Sequence, residues 1–454
     1  MRARMLRTGR RAFLAGAAAA SLAGCASITS TAPVPPNAFV RREGTRLLRG
    51  GTPYRIVGAN MWYAAWLGAD AEYGNRARLL RELDRLQAIG INNLRIMASG
   101  EEGPLRSSIK PGFTRADGSA NPALFTGLDF VLAEMARRGM TAVLVLSNFW
   151  EWSGGLQTLL WRATGQYMDM GDPAHPWPDF PDANAAFYAD PRARELYAAH
   201  LAAVVSRTNS ITGTPYAQDP AIMAWQLANE PRPGGRDAVI ARSLPAYYGW
   251  IESSAAQIRA ADPNHLVSLG HEGTMGANGS EEIVLDAHRA VDYLTAHIWP
   301  LNWSWVTGED LPGTWPVGRQ NTLDYLAAHE RLAKVLGKPL VVEEFGFPRD
   351  REAYSPEAST DFRQRFYGVI YDAVEASWAQ GGPIAGSNFW AWNGEARAAH
   401  SDARFREGDL AYMGDPPHEP QGWYGNFDSD AGMLALIEQH AENRCLGLGA
   451  SCSY

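Results

Sequence analysis

The segment Ile222-Met-Ala-Trp-Gln-Leu-Ala-Asn-Glu-Pro231 is a short, largely apolar run that ends in a polar pair and a proline. A run of this length without a polar helical face reads as a strand buried on both sides, as in parallel sheets. Pro231 cannot extend the hydrogen-bonded ladder and turns the chain out, so Asn229 and Glu230 fall at the strand's C-terminal end.

Seven more segments share the pattern: Arg55–Asn60, Ile91–Met97, Thr141–Asn148, Leu266–Gly270, Tyr293–His297, Pro339–Glu344 and Ile384–Trp390. Amphipathic stretches stand between them, such as Ala77–Leu86 before Gly90 and Leu128–Arg137 before Gly139, with glycine where a helix C-cap belongs. This alternation predicts an α/β fold, a single (β/α)8 TIM barrel with enlarged βα loops, rather than a doubly wound sheet. No nucleotide-binding glycine fingerprint interrupts it.

Active sites of this fold occupy the C-terminal ends of the strands. Arg95, Asn148, Asn229, Glu230, His297, Glu344 and Trp390 all fall there. Residues 151–190 and 400–426 are rich in Trp, Pro, Gly and Asp with little periodicity, and are expected as loops walling a cleft.

Composition narrows the ligand. The net charge is -8, and no long Lys/Arg cluster follows the first residues, which disfavours nucleic acid. The 16 Trp and 17 Tyr often stand near Gly and Asn, where flat rings suit sugar faces, although packing accounts for most of them. The His and Asp residues lack close ligand spacings such as His-Glu-x-x-His, so neither a metal nor another cofactor is expected.

The N-terminus, with Arg10-Arg11, a short Ala-rich run and Leu22-Ala-Gly-Cys25, resembles a twin-arginine export signal ending at a lipoprotein signal-peptidase site. Residues 1–24 are then expected to be removed, Cys25 lipidated, 25–38 a flexible tether and 39–454 the catalytic domain. This makes the protein an exported lipoprotein, periplasmic or at the outer membrane or cell surface, a monomer touching membrane only through its anchor. Cys445 and Cys452, close together in the tail, are expected to pair in that oxidising compartment.

Glycosidic cleavage needs one carboxylic acid to protonate the leaving oxygen and a second carboxylate to meet the anomeric carbon. Glu230, and a glutamate of Val341-Val-Glu-Glu-Phe-Gly346, can supply that pair. Strand alternation sends Glu343 and Glu344 to opposite faces, so only one is expected to look into the barrel mouth.

Asn229-Glu230-Pro231 after the fourth strand and Glu344-Phe345-Gly346 after the seventh resemble glycoside hydrolase family 5, over nearly all of the chain beyond the tether. The resemblance implies that Glu230 is the acid/base and Glu344 the nucleophile, with Glu343 behind it. It also implies that Arg95 orients Glu344 and favours its charged form, that Asn229 donates to a sugar 2-hydroxyl, and that His297 lies on the barrel floor. Trp390 becomes the platform where cleavage occurs.

Trp299 stands where many members carry Tyr, and Asn148 where many carry His. Both departures resemble the mannan-degrading branch, as do Asn60–Trp66, Ser147–Trp150 with Gly154-Gly155, Phe187–Pro191 and His297–Trp303. The implied activity is a retaining endo-β-1,4-mannanase acting on β-mannan or manno-oligosaccharides, with the chain lying across Trp62, Trp150, Trp299, Trp303 and Trp390. The rivals are an exo-acting β-mannosidase or mannobiohydrolase whose cleft is blocked by the 151–190 insertion, a β-1,4-glucanase using the same pair, and a non-catalytic carbohydrate-binding lipoprotein. Binding alone needs only the aromatic platform, so the accompanying polar residues weigh against the last.

Overall fold

A computed structural model describes residues 38–444; the export signal, Cys25, Cys445 and Cys452 lie outside the described residues. Eight parallel strands, β1 (Ile56–Asn60), β2 (Asn93–Met97), β3 (Thr141–Val145), β4 (Ile222–Gln226), β5 (Leu266–Ser268), β6 (Leu294–Ile298), β7 (Leu340–Phe345) and β8 (Ile384–Phe389), match the eight expected segments. They pair in the order β5-β4-β3-β2-β1-β8-β7-β6. The ladder lapses between β5 and β6, where β5 has only three residues, yet Asp292 N–H donates to the Val267 carbonyl at 2.8 Å and His297 N–H to that of Glu272 at 2.9 Å. The sheet is therefore a (β/α)8 barrel whose seam is stitched by isolated bonds.

A helix follows each strand: α1 (Arg76–Ala88), α2 (Pro122–Arg137), α3 (Pro191–Val205), α4 (Asp237–Ala261), α5 (Glu281–Ala287), α6 (Leu311–Leu336), α7 (Asp361–Gln380) and α8 (Ala431–Asn443). Polar caps start many of them. Asp190 accepts from Ala193 N at 2.8 Å, with Pro191 as the first helical residue, so the Phe187–Pro191 motif is the entrance to α3.

The barrel's N-terminal mouth is closed by something periodicity did not reveal, a small antiparallel sheet of Arg41–Glu43, Arg46–Arg49 and Thr52–Pro53. Its Leu47 and the preceding Val40 pack onto Ile56, Val143, Met223, Leu266, Tyr293, Val341 and Ala385. Apolar side chains plug that end, and the large cavity lies at the C-terminal end of the strands.

Two of the expected features differ in the structure. Residues 151–190 are not irregular: they hold the helices Gly155–Thr164 and Asp179–Asn184 and two 3-10 turns, Glu151–Ser153 and Ala185–Ala189. Each is too short to display a long period, and Gly165 ends the first in a left-handed conformation. Residues 400–426 are irregular as expected, folding around the buried carboxylate of Asp415, which accepts from the backbone N–H groups of Gly422, Tyr424 and Gly425 and from the Asn393 side chain.

The second correction concerns Glu343 and Glu344. Pairing of β7 with β6 skips a residue between Val342 and Glu344, a bulge that breaks strict alternation. Both carboxylates consequently reach the barrel interior, at different depths.

Candidate active site

Arg95, on β2, is the hub beneath the open mouth. Its guanidinium donates to Glu344 Oε1 at 2.5 Å, Asn229 Oδ1 at 2.7 Å, Gln226 Oε1 at 2.7 Å and Asn60 Oδ1 at 3.0 Å, all buried. A buried Arg is costly unless its donors are satisfied, and this one has its fork filled. Glu343 lies one layer down, accepting from Gln226 Nε2 at 2.5 Å and Tyr293 Oη at 3.1 Å. Glu344 therefore lines the cavity and Glu343 supports it from below.

Glu230 faces Glu344 from the loop just beyond β4. Its φ of 49° is a left-handed backbone that is uncommon for a residue with a side chain, and it is held by its N–H donating to the Gly270 carbonyl at 2.8 Å. Oε1 lies 2.6 Å from His297 Nδ1, and Oε2 accepts from the Trp150 indole N–H. Burial alone raises the Glu230 carboxyl's pKa, but the His297 bond, the His297 and Arg232 charges and the Trp150 N–H outweigh burial and hold it below the usual value. Burial opposes charging His297, yet the charge of Glu344 and the bonds to Glu230 and its neighbours push the imidazole well above its ordinary value. Glu230 and His297 thus share one proton, held more tightly than an ordinary imidazole holds its own.

A carboxyl oxygen from each of Glu230 and Glu344 and a nitrogen of His297 lie within 4.8 Å of one another. Two carboxyls about 5 Å apart can act on one anomeric carbon from opposite sides without leaving room for a water between them, the arrangement of retaining cleavage. Among the described residues this trio also has the spacing to hold a metal ion, but its atoms are already engaged by Arg95, Trp150 and one another.

The cavity above the pair has a volume of about 570 Å³. Trp150, Trp299, Trp303 and Trp390 line it. The Trp299 ring lies directly over Gly346, where a Cβ would come within 2.4 Å of it, which explains glycine in Glu344-Phe345-Gly346. Asn229 also lines the cavity, while Arg95, Asn148 and His297 stand behind the wall: Asn148 Oδ1 accepts from Asn229 Nδ2 at 3.1 Å and so orients it.

Trp62 does not form part of the cavity wall. It is buried, donates its indole N–H to the Gly414 carbonyl at 3.0 Å and packs against Trp152, which lines the cavity in its place. The Asn60–Trp66 run sits too deep to offer this ring to a ligand, because the 3-10 turn Glu151–Ser153 covers it.

Several lining residues were missed by sequence reading: Trp152, Trp177, Arg232, Glu272, Asn302, His418 and Glu419. Arg232 follows Pro231 directly and was within reach; His418 and Glu419 lie in an aperiodic loop that carries no signal. Arg232 forms a two-bond ion pair with Glu272 at 2.5 and 2.6 Å. Burial and the charge of Glu230 push Glu272 up to about 7 against the pull of Arg232. Trp390 Nε1, His418 Nδ1 and Glu419 Oε2, on residues that line the cavity, are buried polar atoms without a hydrogen-bond partner among the described residues. Burial raises the Glu419 carboxyl well above its ordinary value, with the charges of Asp415, Glu344 and Glu230 adding to the rise.

Residues 37–446 match the family model described as GH family 5 beta-mannosidase-like. A mannan endo-1,4-beta-mannosidase 1 of Oryza sativa subsp. japonica is 30% identical over 377 residues, covering 78% of each chain. Mannan endo-1,4-beta-mannosidase 1 of Arabidopsis thaliana is 29% identical over 371 residues, covering 78% of this chain and 81% of its own. Among solved structures, a glycoside hydrolase family 5 mannosidase from Rhizomucor miehei superposes with a TM-score of 0.81 at 34% identity, covering 90% of this chain and 98% of that one.

Proposed function

Since the chain belongs to glycoside hydrolase family 5, in its β-mannosidase-like group, we propose that it hydrolyses β-1,4-mannosidic bonds in mannan or manno-oligosaccharides with retention of configuration. The observation that carries this reading is the close approach of Glu230 and Glu344 at the mouth of a cavity walled by tryptophans. In the first step Glu344, oriented by Arg95, attacks the anomeric carbon while the proton shared by Glu230 and His297 passes to the departing glycosidic oxygen. The C–O bond to the leaving sugar breaks as the bond to Glu344 forms. In the second step Glu230 takes a proton from water, the resulting oxygen bonds to the anomeric carbon, and Glu344 leaves as carboxylate. Asn229, steered by Asn148 and Arg95, is placed to donate to the 2-hydroxyl, a bond that strengthens as positive charge develops at the anomeric carbon.

A second reading, release of mannose or mannobiose from a chain end, is favoured by the loop folded around Asp415, which brings His418 and Glu419 into the cavity wall. A wall on that flank suits the end of a chain better than its middle. A time course of products from mannohexaose and polymeric β-mannan, with cellohexaose as control, separates the readings. Mixed intermediate oligomers mean internal cleavage, mannose or mannobiose alone from the start means terminal cleavage, and cleavage of cellohexaose only would remove mannan as the substrate.

The reading includes export as a monomeric lipoprotein held at Cys25, supported by Arg10-Arg11 and Leu22-Ala-Gly-Cys25. Labelled palmitate incorporation that disappears in Cys25→Ala supports it; label retained in that variant overturns it.

A further inference from the structure

Trp177 is the large aromatic most exposed among the described residues, at 61%, and it lines the cavity. Its ring is near parallel to that of Trp150, 26° between planes with centroids 6.3 Å apart. The Arg232 guanidinium lies over both rings, 5.0 Å from the Trp150 centroid and 5.5 Å from that of Trp177. Glu272 holds Arg232 in place through its two bonds.

The segment that carries Trp177 is fastened to the loop after β4. Asp182 Oδ1 accepts from Gly235 N at 2.8 Å and Arg236 N at 2.9 Å, and Arg236 pairs with Asp182 and Asp179 at 2.6 and 2.5 Å. Gly235 permits this closeness, since a Cβ there would meet Pro178 at 2.6 Å. An indole anchored on its backbone side and left in solvent at a cavity edge is a built surface.

Its place decides what it binds. Glu230 delivers its proton to the leaving oxygen, so the leaving sugar stands on the Glu230 flank, and Trp150, bonded to Glu230, carries that flank outward to Trp177. Trp299 and Trp390 lie on the other flank, at the ends of β6 and β8.

Resting on the mannoside-hydrolase reading, we propose that Trp177 is the stacking platform for the sugar on the leaving side of the scissile bond, making the enzyme selective for saccharide leaving groups. Sugar C–H faces pack on the indole, and the Arg232 charge beneath it reaches hydroxyls at the ring edge.

The test compares kcat/KM for mannotriose with that for methyl β-mannoside, whose leaving group has no ring. Trp177→Ala should lose about three- to tenfold on mannotriose and leave methyl β-mannoside essentially unchanged. Trp177→Phe should retain most of the mannotriose rate, and both variants should unfold at the wild-type temperature because the ring is exposed. An unchanged ratio between the two substrates in Trp177→Ala overturns the platform while leaving the mannosidase reading intact. A wild-type protein that cleaves neither these two substrates nor polymeric β-mannan overturns both.

Discussion

Glu343 and Glu344, neighbours in the chain, both converge on Arg95: Glu344 Oε1 accepts from Nη1 at 2.5 Å, and Glu343 Oε2 lies 3.8 Å from Nε. They do so at different depths, and only Glu344 meets the cavity. Glu344→Ala should abolish turnover with the fold retained. Glu343→Ala removes the acceptor of Gln226 and Tyr293, leaving buried donors unpaired, and should cost about 1–3 kcal/mol of stability while leaving measurable hydrolysis. Steady-state rates alongside denaturant unfolding of the two variants distinguish them.

The proton shared by Glu230 and His297 has a pH signature. In the wild type the pair keeps its proton well above pH 6.5, because His297 is raised by Glu344 and by its bonds. In His297→Asn the proton rests on the carboxyl alone, where only burial raises it and the Arg232 charge opposes that rise. The alkaline limb of kcat/KM should therefore move to lower pH, beyond any fall in absolute rate. A pH profile of the two proteins on one oligosaccharide checks the direction.

Glu101 supplies a stability prediction away from the chemistry. Burial pushes its carboxyl up to about 7 from 4.5, against the opposing effects of Arg162 and of the Gly155 N–H that it accepts at 2.8 Å. Between those pH values the folded state binds the proton and the unfolded chain has lost it, so this contribution to stability is full at low pH and disappears as pH rises through about 7. Glu101→Gln keeps the hydrogen-bond acceptor without the titration. Its stability relative to wild type should improve by a few kcal/mol between acid and mildly alkaline pH, measured by unfolding at several pH values.

Trp62 and Trp150 should respond oppositely to truncation. Trp62→Ala opens a cavity behind Trp152 and should cost about 3–5 kcal/mol with little change in KM. Trp150→Ala removes both a cavity wall and the donor to Glu230, and should impair kinetics more than stability.

The barrel was legible because buried parallel strands are apolar throughout, and all eight segments became strands with ends shifted by a few residues. The carboxyl pair was legible because strand ends converge at one mouth. What stayed hidden depends on long-range geometry. The bulge that turns Glu343 inward arises from pairing with β6, the depth of Trp62 from a covering turn, and the place of Glu419 from an aperiodic loop held by Asp415. Trp177 could be read as aromatic, but not as exposed at the cavity edge beside Trp150.

The most direct test of the central claim is the anomeric configuration of the azide product formed by Glu344→Ala from an activated β-mannoside, read by nuclear magnetic resonance. With the nucleophile removed, azide enters the space left beside Arg95 and attacks from the opposite face, so the expected product is the α-mannosyl azide, with activity restored by azide. A β-mannosyl azide from Glu344→Ala, or azide rescue seen in Glu343→Ala and absent in Glu344→Ala, would contradict the assignment of Glu344 as nucleophile.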